Sequence, residues 1–135
     1  MCFLARPSED CVNYALRVLT YLVCAKDDNK LVLGGTEVKL VAACDSDWAG
    51  DNESRKSTRG HVVYVTDRGA CICRAALQKI ISLSSTEAEY ISATWCAKAV
   101  LWVRMLLAEL GHRQQGPTQV YIDNQSAIHL TRDDP

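Results

Sequence analysis

Charge imbalance is almost missing from this chain. Its 15 basic and 16 acidic residues leave a formal net charge of −1 over 135 residues. So balanced a protein has no global attraction for a polyanion, and a nucleic-acid partner must meet a local basic patch. Arg55-Lys56-Ser57-Thr58-Arg59 is the nearest segment to one; its plain alternative is a solvated loop. Also missing is a second Cys or His pair at zinc-finger spacing, which argues against a zinc module. No signal-peptide pattern and no apolar run of about 18 residues is read, so neither secretion nor a membrane partner is expected. The seven cysteines, Cys2, Cys11, Cys24, Cys44, Cys71, Cys73 and Cys96, are odd in number and mostly lie in apolar segments. They read as free thiols in a reducing compartment, which places the chain inside the cell, in cytoplasm or nucleus. Cys71 and Cys73 alternate onto one face of a strand.

Hydrophobic residues make up 48% and charged residues 23%, the composition of an ordinary globular domain. Ser8-Glu9-Asp10 starts a helix whose stripe, Val12, Ala15, Leu16, Leu19, Leu22 and Val23, runs to about Lys26. Leu31–Leu33 and Val38–Ala43 flank Gly34-Gly35 and predict a hairpin, its second arm continuously apolar and stopping at Asp45. Strands follow at Val62–Val65 and Cys71–Leu77, joined by Asp67-Arg68-Gly69. A long helix spans Thr86 to Leu110, with Ile91, Trp95, Trp102 and Leu106 on one face and Gly111 at its C-terminal cap. A last strand, Gln119–Ile122, ends at Asp123-Asn124, and a short helix takes Gln125 to Thr131. The fold class is α/β.

Chemistry concentrates at Leu83–Tyr90, read as LSSTEAEY, where Glu87 and Glu89 stand at the mouth of the long helix. The S/T-x-x-E pattern gives Glu87 a capping task, reaching back to Ser84. Glu89 is left free, and two other acids, Asp45 and Asp123, stand at strand ends. Aspartate at such positions is commonly a turn residue. Three carboxylates brought together, however, repel one another without a cation. Oxygen-only ligands favour Mg²⁺ or Mn²⁺, and two such ions about 3.5–4 Å apart support phosphodiester cleavage.

Five segments carry a resemblance: CDSDWAGD (Cys44–Asp51), RKSTRG (Arg55–Gly60), LSSTEAEY, LWVRMLLAELG (Leu101–Gly111) and YIDNQSAIHL (Tyr121–Leu130). In this order the chain resembles the ribonuclease H domain of copia-type retrotransposon Pol polyproteins, with residues 1–30 similar to the connection that follows the reverse transcriptase and residues 31–135 to the domain itself. The resemblance implies a ribonuclease H-like mixed sheet with flanking helices. It implies hydrolysis of the RNA strand of RNA–DNA hybrids, two Mg²⁺ ions (or Mn²⁺) held by Asp45, Glu89 and Asp123, and Asp45 bridging both. Asp47 and Glu87 take supporting roles. Arg55, Lys56, Ser57, Thr58 and Asn124 are implied nucleic-acid contacts, and the reverse transcriptase portion of a polyprotein is an implied partner.

The chain also departs from that pattern. Arg74-Ala75-Ala76-Leu77 stands where the family shows a tryptophan and a lysine pair, and the tryptophan of the first helix is replaced around Cys11-Val12. The family's fourth acid and a histidine have no counterpart up to Pro135. The expectation is a truncated copy lacking the last strand and helix, so two functions stay open: a metal-dependent nuclease, or a non-catalytic remnant serving as a nucleic-acid or protein interaction module.

Overall fold

The computed structural model describes residues 7–27, 34–35 and 37–132. The chain divides into two compact units, residues 1–32 and 33–135. In the first, α1 covers Glu9–Cys24. Ser8 caps it, its hydroxyl accepting from the Cys11 N–H at 3.3 Å, and Glu9 and Asp10 sit against the positive end of the helix. The strand expected at Leu31-Val32-Leu33 lies outside the described residues, as do Asp133 and Asp134.

The second unit holds four strands, β1 (Val41–Asp47), β2 (Thr58–Tyr64), β3 (Ala70–Leu77) and β4 (Gln119–Tyr121), in the order β3-β2-β1-β4. β1 runs antiparallel to β2, β2 antiparallel to β3, and β1 parallel to β4. This mixed sheet with flanking helices is compatible with a ribonuclease H-like fold. β1 begins at Val41 rather than Val38 and the ends of the other strands shift by a residue, while two boundaries differ more in consequence. β1 does not stop before Asp45: the ladder continues through Asp45↔Gly60, Ser46↔Arg59 and Asp47↔Thr58. Alternation explains it, since Ala42 and Cys44 turn inward while Asp45 and Asp47 turn to solvent. β2 likewise begins at Thr58, four residues before the apolar run that marked it, and its inward face is Arg59, His61 and Val63.

The long helix, α2, spans Ser85–Glu109. Its buried positions are Ala88, Glu89, Ser92, Cys96, Val100, Val103 and Leu107, a stripe at three- and four-residue spacing. That is not the face expected from its aromatics: Trp102 is 59% exposed. Small side chains over the first three turns let the helix lie close on β1 and β2, and Trp102 is turned away. With Leu40, Ala42, Cys44 and Val63 the stripe forms the core. By length and composition α2 could cross a bilayer, its most apolar window reaching a mean hydropathy of 1.3, which corrects the expectation that no such run exists. Here it is the helix that covers the sheet. Gly111, at φ 84°, ends it: the His112 N–H donates to the Leu107 carbonyl at 2.8 Å and the Gly111 N–H to Ala108 at 3.2 Å. A short helix, α3 (Gln125–Leu130), closes the unit beside α2.

Candidate metal centre

Asp45 comes from β1, Glu89 from the second turn of α2, and Asp123 from the segment between β4 and α3. One carboxylate oxygen of each lies within 4.8 Å of the others. Shared ligation needs such oxygens a few ångströms apart, and this spacing meets it. The three residues that the sequence singled out are therefore together.

Each is held differently. Ser92, fully buried on α2, directs its hydroxyl to the Asp45 carbonyl (2.7 Å) and the Gly60 carbonyl (3.1 Å), which pins the acid end of β1 under the helix. The Ser46 N–H donates to Glu89 Oε1 at 2.9 Å. Glu89 Oε2 is buried without a partner in a residue only 5% exposed. Burial pushes the Glu89 pKa up to about 7; the Ser46 N–H offsets part of that rise, and the charges of Asp45 and Asp123 and a side-chain hydrogen bond that the protonated form shares with Asp45 add to it. Asp45 and Asp123 are themselves exposed. Glu87 keeps the capping task, although its Oε2 accepts from the Leu83 N–H (2.6 Å), one residue before the expected Ser84, while Ser84 Oγ accepts from Glu87 N–H (3.1 Å).

The expected nucleic-acid contacts separate into two kinds. Arg55 is exposed and Lys56 half-buried, on a loop that Asp51 braces by accepting from the Ser54 N–H (2.9 Å) and hydroxyl. Ser57 is fully buried, its hydroxyl committed to the Ala49 N–H at 3.1 Å, so it shapes the loop from inside. Thr58 is half-buried at the start of β2, and Asn124 caps α3 by accepting from the Ala127 N–H at 2.9 Å. Arg59 is no solvated loop cation: it lies 7% exposed with its guanidinium 4.0 Å from the Trp95 ring centroid, and Lys98 approaches the same ring at 4.8 Å. Arg59 Nε and the neighbouring His61 Nδ1 are buried without partners. Burial first, then Arg59 and Arg74, push the His61 pKa down.

Sequence reasoning missed Gln78, Ser82 and Trp48. Gln78 is 2% exposed just past β3, its amide bonded to Ser46, Ser82 and Ala88. Trp48 Nε1 donates to the Ser82 carbonyl at 3.1 Å. A lone glutamine among apolar residues gives no periodic signal that would mark such a role.

No family model matches the chain, and no solved structure matches it. Curated relatives do. The chain is 38% identical over 130 residues to the retrovirus-related Pol polyprotein from transposon TNT 1-94 of Nicotiana tabacum, covering 96% of this chain and 10% of that protein. Those from transposons RE2 and RE1 of Arabidopsis thaliana are 35% and 34% identical over 128 residues, each covering 95% of this chain and 9% of the relative. The chain thus spans about a tenth of the length of these relatives. Over nearly its whole length it is homologous to one segment of the retrovirus-related Pol polyproteins that transposons encode.

Proposed function

We propose that this chain is a metal-dependent ribonuclease H-type unit that hydrolyses the RNA strand of an RNA–DNA hybrid during reverse transcription of a transposon. One observation carries the reading: three carboxylates from three separate elements meet, and the most buried of them has an oxygen with no partner. A carboxylate oxygen is rarely buried unpaired unless something outside the protein satisfies it. The donor set is oxygen only, which suits Mg²⁺ or Mn²⁺, and Asp45, Glu89 and Asp123 would hold the ions. Bound there, such ions supply an activated water and stabilise the leaving oxygen in phosphodiester cleavage.

The chain's own residues do the rest. Glu89, whose burial favours the protonated form, would ligate a cation as the carboxylate. Ser92 and Ser46 keep Asp45 and Glu89 facing one another. Exposed Arg55 and half-buried Lys56 are the cations offered to the phosphates of a hybrid, which such proteins recognise by backbone and 2′-hydroxyls rather than by base sequence. Thr58 and Asn124 flank the acids. The polyprotein context of the relatives supports a reverse transcriptase portion as the partner that delivers the hybrid.

A labelled RNA–DNA duplex tests this with Mg²⁺ or Mn²⁺ present. Wild type is expected to cut the RNA strand, while Asp45→Asn and Glu89→Gln fall to background. Equal background from all three overturns the nuclease reading. A non-catalytic module, the second reading, is favoured only by the exposure of Asp45 and Asp123; it predicts hybrid retention without cleavage in all three proteins.

A further inference from the structure

We infer that Gln78 is the positioning residue that sets the spacing of the carboxylate centre. This rests on the reading of Asp45, Glu89 and Asp123 as a metal centre. A primary amide is costly to bury unless its hydrogen bonds are met. At Gln78 they are. Nε2 donates to Ser46 Oγ at 3.2 Å and to the Ala88 carbonyl at 3.0 Å, using both of its protons. Oε1 accepts from Ser82 Oγ at 2.9 Å, and the Gln78 backbone N–H donates to the Ser57 carbonyl at 2.8 Å.

The partners matter more than their number. Ser46 directly follows Asp45 in the chain, and Ala88 directly precedes Glu89. One amide nitrogen thus ties the side chain that follows the first acid to the backbone that precedes the second. The Ser46 N–H then donates to Glu89 Oε1 at 2.9 Å, closing a ring that runs Gln78, Ser46, Glu89, Ala88 and back to Gln78. Ser92 already pins β1 under α2, and Gln78 adds a second tie at the other side of the acids, where a metal site tolerates little drift. The chemistry of the ring demands an amide. A carboxylate of the same shape loses both donors, faces the Ala88 carbonyl with negative charge, and adds a fourth anion behind the other three.

The test uses the full chain with Gln78→Met, which keeps the length and removes the bonds. Ser46→Ala removes one acceptor and leaves Gln78 in place, should the first variant fold poorly. Val100→Ala, in the core about three turns along α2 from Glu89, serves as the control for a general loss of stability. Two readouts apply. Hydrogen exchange of the Ser46 amide, relative to the other amides of β1, is expected to quicken at least tenfold in Gln78→Met, to quicken less in Ser46→Ala, and to hold in Val100→Ala. The half-saturating Mg²⁺ concentration is expected to rise about 10–100-fold in Gln78→Met, the cost of losing an outer-shell partner, and not in Val100→Ala. If both readouts in Gln78→Met match those in Val100→Ala, Gln78 is ordinary core and the inference is overturned. If wild type binds no Mg²⁺, the metal reading fails, while the Ser46 exchange still decides the role of Gln78.

Discussion

Glu89 carries the largest tension at the level of single residues. Its pKa is lifted from 4.5 to about 7, so between those values the folded chain keeps a proton that the unfolded chain has lost. Stability contributed by the neutral form is complete below about 4.5 and is lost as pH rises through 7. Glu89→Gln, neutral throughout, avoids that loss. At pH 8 the metal-free variant is expected to exceed wild type by about 1–3 kcal/mol, with the two nearly equal at pH 4.5. Denaturant unfolding at both values checks it, and no gain at pH 8 refutes it. The cationic loop divides in the same way. Arg55→Ala with Lys56→Ala is expected to lower the salt slope of hybrid binding by about 2. Ser57→Ala, which takes the partner from the half-buried Ala49 N–H, costs about 0.5–1.5 kcal/mol of fold stability and leaves the slope alone. Binding isotherms over a salt series separate the two.

At the scale of elements, α2 is the piece whose existence was plain in the sequence and whose orientation was not. Its helical period, the Ser84 cap and Gly111 are all marked by residue type. Its apolar residues, however, surround most of the circumference, so periodicity alone could not say which stripe met the sheet. Close packing decided it, choosing Ala88, Ser92 and Cys96 over Trp102. Cys96→Leu is therefore expected to overpack the core at a cost of about 1–3 kcal/mol, while Trp102→Ala costs less than about 1 kcal/mol. Thermal melts of the two variants rank them, and the reverse order would sink this account of the helix. The strands show a related limit. β2 was legible only from Val62 on, because Thr58-Arg59-Gly60-His61 gives no apolar alternation, and the inward Arg59 relies on Trp95, a contact that sequence spacing does not reveal. The three acids were legible since each ends or opens a recognisable segment. Gln78 was not, because its partners lie 32, 10 and 4 residues away along the chain.

For the molecule as a whole, the centre links protons, cations and fold. On the proposed reading, a cation drawn to Asp45, Glu89 and Asp123 would displace the proton that burial favours on Glu89. Calorimetric Mg²⁺ titrations in buffers of different ionisation enthalpy are expected to show release approaching one proton near pH 6 and almost none near pH 9. Equal release at both would mean that Glu89 takes no part. Binding should also raise stability with concentration, by about 2.7 kcal/mol at a hundredfold excess over the dissociation constant.

β4 gives the arrangement its asymmetry. It pairs with β1 through three residues, Gln119, Val120 and Tyr121, whereas β2 pairs with β1 through seven. Asp45 and Glu89 thus sit on the well-anchored part of the fold, and Asp123 arrives on a strand with few bonds to keep it there. Short, edge-placed strands open locally at a fraction of the global unfolding energy. On the proposed reading the centre would be a clasp rather than a fixed cage: two acids stand on firmly anchored elements, the third depends on a strand of three pairs, and a cation held between them would fasten that strand as much as the strand fastens the cation.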